Sequence, residues 1–549
     1  MRNLFALLFI LAFGTTAFSQ DSSDLQISEV TIPTVDACIP EAIAKLGPPT
    51  IFPFHNSLVT AIIAANETAQ IYTLQGLNHL HGGWDFEARR HFAEAMKADP
   101  RCLMAHWGII MSMLSQSQEL HAHRLAATER LLTLVSEDDG IDLERGFAYG
   151  LIKYIEEGPK GAESAFRKIA DKFPKDLQSE IFAALFGRGG YNQLGDITPA
   201  QEESEKRLEK LVEKLPNNSL PLHALLLVRA EAPDLRPTLP LAHKLCELVP
   251  NYPPYIHLLG HYQWRCGEHA EATETFGRAS KLYFEWMEKH GVGREDCPEW
   301  IRAVCYRGVA LASQNDFDAA LFAARQISNI PLNPARPSAH GTRHLLWDAH
   351  TLPARILMHR GNPGDAAEAL ASLPNPETYE AYRKESLFYW WVDGLRIALE
   401  ARRLIETDSL QDAANTALAL SYHGQEMAKK RDEATARGEY PEWKRALFAL
   451  EILTADLQGR LALAGPPERR GSAFNWFRAA ADRQHPATLL NAPLMLSPAA
   501  TKLGDYFMMI EKPAKAIEAY QEALSQFPNN PEASKQLAKA RALAKPVEE

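Results

Sequence analysis

The sequence predicts an all-α protein, an α-α superhelix built as a solenoid of antiparallel helical hairpins. Three observations lead there. Apolar residues, mostly Leu and Ala, recur at helical spacing almost everywhere after residue 60. Strand signals are missing, because β-branched runs are scarce and no Asn-Gly turn separates alternating segments. Finally, one set of small and aromatic residues returns at constant offsets: Gly76, Ala88, Phe92, Ala95 near the start, Gly260, Ala272, Phe276, Ala279 in the middle, and Gly504, Ala516, Tyr520, Ala523 near the end. Glycine to alanine is 12 residues each time, alanine to aromatic 4, and aromatic to alanine 3.

Taken in order, residues 1–19 read as a secretory signal peptide. Met1-Arg2-Asn3 carries one positive charge, Leu4 to Phe13 is unbroken apolar chain, and Ala17-Phe18-Ser19 offers small residues for cleavage after Ser19. The apolar run is too short for a span, which needs about 20 residues, and no later stretch is apolar enough to be one. The expected location is therefore periplasmic or extracellular. Residues 20–66 form a loop-rich lead-in with Pro33, Pro40, Pro48, Pro49 and Pro53. Residues 67–350 hold the repeat array, with a further unit at Gly150, Ala162, Phe166 and weaker units ending at Pro216 and Pro250. Insertions near 281–300 and 331–338 interrupt it. Residues 351–490 read as degenerate helical repeats, whose Phe388-Tyr389-Trp390-Trp391 cluster suits packing. Residues 491–549 hold a terminal repeat and a polar helix over Ala533–Ala544 that caps the stack.

The recurring set resembles the tetratricopeptide repeat. There the glycine lets one helix approach its partner, the alanines sit where the two meet, the aromatic fills the gap to the next unit, and the proline ends the second helix. The stretch from Gln75 to Gly108, with its run Asp99-Pro100-Arg101-Cys102-Leu103-Met104-Ala105-His106-Trp107-Gly108, resembles a signature of large bacterial exported tetratricopeptide-repeat proteins. Pro221 to Ala272 and the terminal unit are similar to the same family. The resemblance implies a fold and an interaction role, and it carries no catalytic residues with it.

The formal charge is −11, from 58 basic and 69 acidic residues. That is mild for 549 residues and argues against nucleic acid as the partner. Six cysteines in so long a chain are not a disulfide framework. Cys297 and Cys305 are the closest pair, but Pro298 between them starts a helix that carries them apart. The sequence holds no Gly-x-Ser-x-Gly, His-Glu-x-x-His, phosphate loop or dinucleotide fingerprint.

Histidine is where chemistry could sit. His257 and His261 share a helix face at i, i+4. In a tetratricopeptide unit they fall at the fifth and ninth positions of the first helix, which line the concave groove. His223 lies 34 residues earlier at the same register, Cys305 occupies the fifth position of the following unit, and Trp264 and Arg265 extend the face. Histidine and thiolate are zinc ligands, so His223, His257, His261 and Cys305 are metal candidates; groove histidines also serve as plain hydrogen-bonding contacts. His340 and His344, near His350, read as surface or capping residues, and His79, His81 and His91 surround the first inter-helix turn.

The leading expectation is an extracytoplasmic scaffold that holds a peptide or protein partner in its concave groove through His223, His257, His261, Trp264 and Arg265, with no cofactor. The alternative is a metal-binding protein or metal-dependent hydrolase centred on the same histidines, with zinc or another transition metal. A purely structural spacer is the third reading.

Overall fold

The computed structural model describes residues 32–54, 62–114, 118–192, 195–485 and 488–544; the signal peptide lies outside them. Among the described residues every regular element is helical, apart from one isolated bridge between Tyr191 and Ile197. The fold is the predicted all-α array of antiparallel hairpins.

Local chemistry sets the helix limits. Prolines open the helices Pro159–Lys172, Pro253–Cys266, Pro298–Ser313 and Pro531–Leu543, where the missing N–H has no partner to lose. Asn66 and Asp176 cap other starts through their side-chain oxygens, and Asn530 does the same for Pro531–Leu543. Gly267 ends Pro253–Cys266 in the left-handed conformation at φ 85°.

Packing within a hairpin follows the recurring set. Phe92, on Asp85–Ala98, is fully buried between Gly76 of Glu67–His81 and Gly108 of Leu103–Met111. A Cβ on Gly76 would meet the ring at 2.6 Å, and one on Gly108 would come closer still. The same relation holds for Gly150 with Phe166, Gly260 with Phe276 and Gly504 with Tyr520. Gly459 with Phe477 is a fifth case, two residues longer in spacing and for that reason missed by the motif.

The array curves enough for distant units to touch. Trp84 packs against Tyr283 and Trp286 at centroid distances of 5.4 and 4.8 Å. At the other end, His269 Nε2 faces the Pro528 carbonyl at 3.0 Å, and Asn529 Nδ2 donates to the Gly267 carbonyl at 3.1 Å. Two large apolar clusters follow one another, the first from Cys38 to Ala303 and the second from Trp264 to Phe527, overlapping around Pro253–Cys266 and Pro298–Ser313.

The two interruptions meet. Arg336, in the Pro-rich second one, donates to Asp296 in the first at 2.7 and 2.8 Å and to Glu119 at 2.7 Å. The surface reading of the next histidines is corrected here: His344 and His350 are buried, and the helix His340–His344 runs into a buried π-helical turn, Leu345–Ala349. The rejoined chain tucks inward because Leu345, Leu346 and Trp347 must be covered. The six cysteines are free.

Gly108→Ala is expected to cost about 1–3 kcal/mol by overpacking against Phe92. Thermal denaturation should show a lower melting temperature than wild type, whereas Gly471→Ala, where a Cβ meets nothing within 4 Å, should leave it unchanged.

Candidate functional site

Between the helices Ala473–Arg483 and Ala500–Met509, residues 488–498 run without helix. Pro493 and Pro498 forbid one there, since each lacks an N–H and pushes the residue before it towards extended backbone. This strap lies across four helices of the array. His257 Nε2, from Pro253–Cys266, faces the Leu489 carbonyl at 3.4 Å. The Tyr306 hydroxyl, from Pro298–Ser313, reaches the carbonyls of Thr488 and of Asn491, the latter at 3.0 Å. Arg355, from Leu352–Arg360, donates to the Pro493 carbonyl at 2.7 Å. Arg445, from Tyr440–Ala464, donates to the Ala492 carbonyl at 2.6 Å. Ala492, Leu494 and Leu496 are buried beneath. Gln484 closes the strap by donating to the Ser497 carbonyl and accepting from the Ala499 N–H.

The two arginines are held in place from behind. Asp348, 3% exposed, pairs with Arg445 at 3.0 Å, and its carbonyl accepts from Arg355 at 2.7 Å. Burial alone would raise the Asp348 carboxyl, but the charges of Arg445 and Arg355 and the hydrogen bond from His344 together outweigh it and hold the group well below the usual carboxylate range. Asp348 therefore aims two charged donors at main-chain oxygens, Arg445 through its carboxylate and Arg355 through its carbonyl, and charge-assisted bonds of this kind are the stronger class.

The residues singled out in the sequence all lie inside the fold, and the structure does not gather the metal candidates into one set. His223 Nδ1 faces the His81 carbonyl at 2.6 Å and His261 Nε2 the Ala230 carbonyl at 2.9 Å. A carbonyl only accepts, so these nitrogens carry the ring protons. The free lone pair of His261, on Nδ1, faces the Tyr306 hydroxyl at 3.4 Å. Burial pushes Cys305 up to about 12, which keeps it a thiol rather than the thiolate that zinc needs. Trp264 donates to Ser313 Oγ, and Arg265 donates to the Ala232 carbonyl at 2.7 Å. The correction to the metal set has a simple cause. Equal register puts residues on one face, but neighbouring helix axes stand about 8–10 Å apart and each ring finds a closer backbone partner. Among the described residues, three ligand atoms converge instead at His79, Glu87 and His91. Glu87 and His91 at i, i+4 were legible in the sequence; what went unread was that His79 lies opposite them across the hairpin.

The comparisons with known proteins add little. No family model matches the chain, and no curated protein matches it. Solved structures do match. The P58(IPK) TPR domain is 14% identical over 86% of this chain and 98% of that one, at a TM-score of 0.21. Yeast Tom70 is 11% identical over 87% and 89%, at 0.27. The human IFIT1 dimer with m7Gppp-AAAA is 12% identical over 88% and 91%, at 0.32. Superpositions this poor carry nothing about the groove or its contents.

A polar cavity of about 520 Å³ opens where the two interruptions meet the segment around Pro40–Leu46. Its walls include Asp85, Arg89, Glu299, Arg302 and His340. Burial raises Asp85 to about 6 against the pull of Arg89, and burial likewise raises Glu299. The cavity thus keeps a carboxyl group that titrates close to neutrality beside two arginines.

Burial lowers His223 to about 4 and His257 and His261 to about 3, the latter two also under the charges of Arg302 and Arg265. The unfolded chain takes up these protons near pH 6.5, and the folded chain refuses them until far lower pH. Their contribution to stability is thus whole above about pH 6.5 and is lost as the pH falls towards the folded values. Each is expected to cost about 2 kcal/mol at pH 5. Thermal denaturation at pH 7, 6 and 5 should show a falling melting temperature, and His261→Gln should flatten the fall.

Proposed function

We propose that this protein is an exported interaction scaffold that holds an extended peptide or protein segment on the face now covered by its own strap. One observation carries the reading: side chains from four separate helices converge on the carbonyls of Thr488, Leu489, Asn491, Ala492 and Pro493. Recognition through main-chain oxygens accepts any extended segment, and the buried positions of Ala492, Leu494 and Leu496 select an apolar one. The preferred partner is therefore a proline-containing apolar stretch of another protein. His257 contacts it, His261 orients Tyr306, and His223, Trp264 and Arg265 support the same face. The mild negative charge favours protein over nucleic acid, and no helix among the described residues is long and apolar enough to cross a membrane. Binding through these donors needs no cofactor.

In the intact chain the strap competes as a tethered ligand, at an effective concentration in the millimolar range. A partner binds by displacing it. Replacing residues 488–498 with a Gly/Ser segment of equal length should let the protein bind a labelled peptide carrying the natural 488–498 sequence, read by fluorescence anisotropy. Arg445→Ala in that background should weaken binding by about tenfold or more, as for loss of a charge-assisted bond. A folded strap-replaced protein with no saturable binding would sink the reading. Export has its own check: the intact mass of the secreted chain should correspond to a start at Gln20.

A further inference from the structure

We propose that His79, Glu87 and His91 form a buried site for one divalent transition-metal ion, with zinc the best fit. The site is separate from the strap and does not depend on the function proposed for it. His79 closes the helix Glu67–His81, while Glu87 and His91 stand one turn apart on Asp85–Ala98. One ligand atom from each lies within 4.8 Å of the others, and all three residues are buried. The two imidazole rings are 4.8 Å apart at 31°.

The hydrogen bonds at the far side of each ring support the assignment. His91 Nδ1 faces the Glu87 carbonyl at 2.9 Å, so it carries the ring proton and leaves Nε2 as a lone pair. His79 Nδ1 faces the Tyr252 hydroxyl at 3.2 Å. Both Nε2 atoms are buried and make no hydrogen bond, although the Thr50 backbone also faces the His91 ring. A buried polar atom left without a partner is destabilising. Metal-bound histidines typically show this arrangement, with one nitrogen held by a carbonyl or hydroxyl and the other aimed at the ion.

Glu87 supplies the charge. One of its oxygens accepts from Arg90 at 2.8 Å, and the carboxylate has lone pairs to spare for an ion. Arg90 opposes the ion, but its other amino group is turned to the Gly47 carbonyl at 3.1 Å. Zinc ligands at about 2.1 Å stand about 3.4 Å apart at the tetrahedral angle, so the side chains need close by only about 1.4 Å between them. Phe54, Trp84 and Tyr252 wall the His79 ring at 5.0–5.8 Å and keep the site dry. The ligands all belong to the first hairpin, and the hydrogen bond between His79 and Tyr252, 173 residues further along, joins the site to the middle of the array.

The test uses the full mature chain, stripped of metal in mild denaturant and refolded with zinc(II) or cobalt(II), then desalted. Elemental mass spectrometry should find about one ion per chain, and the cobalt form should show a visible ligand-field band. His79→Gln and His91→Gln should each weaken zinc binding by about tenfold or more, while His243→Gln, at an exposed position, should bind like wild type. If either histidine variant fails to fold, Glu87→Gln, which keeps the shape and removes the charge, takes its place. Refolded wild type that holds no stoichiometric ion would overturn the site, as would binding that survives all the substitutions at the cluster.

Discussion

The aromatic ring pressed against a glycine is the contact on which the whole array depends. Phe92 reaches its place only because Gly76 and Gly108 have no Cβ, and Phe166, Phe276 and Tyr520 each press in the same way on one glycine, Gly150, Gly260 and Gly504. Each ring closes its own hairpin and fills the gap to the next, so the core is built unit by unit. Phe276 also stacks on Tyr306 at 4.9 Å and 13°, which ties the packing of one hairpin to the position of a groove donor in the next. A core that grows along the chain escapes the size limit of a single compact domain.

Curvature turns this one-dimensional stack into a body with an inside. Trp84 meets Tyr283 and Trp286, and Pro528 and Asn529 meet His269 and Gly267, so the chain doubles back on itself twice. The places where the repeat breaks then acquire a purpose. The two interruptions join through Arg336 and wall the polar cavity, and the break between the last degenerate unit and the terminal repeat supplies the strap. Regular units make the frame, and irregular segments fill or line what it encloses.

Histidine shows how burial decides role. Reading the register of His223, His257 and His261 put them on one face, and the structure keeps His257 and His261 around Tyr306 and the strap. Whether they share a metal depends on positions at the scale of single bonds, which register cannot supply, and each ring faces a backbone carbonyl instead. His79 and His91 show the reverse case: they lie 12 residues apart without a common helix face, yet the turn of the hairpin stacks their rings. The buried state of His344 and His350 was likewise invisible in a Pro-rich context, because only the neighbouring helices reveal what covers them.

The sequence by itself determined the all-α class and the hairpin spacing, because these rest on contacts between residues at most a few tens of positions apart, which leave a fixed spacing in the chain. Tertiary structure alone decided that residues 488–498 lie across the groove, that the interruptions meet, and that His79, Glu87 and His91 converge beside Tyr252. Those contacts join residues up to about 230 positions apart, such as His257 and Leu489. No local period records them: they follow from small rotations accumulated from one hairpin to the next.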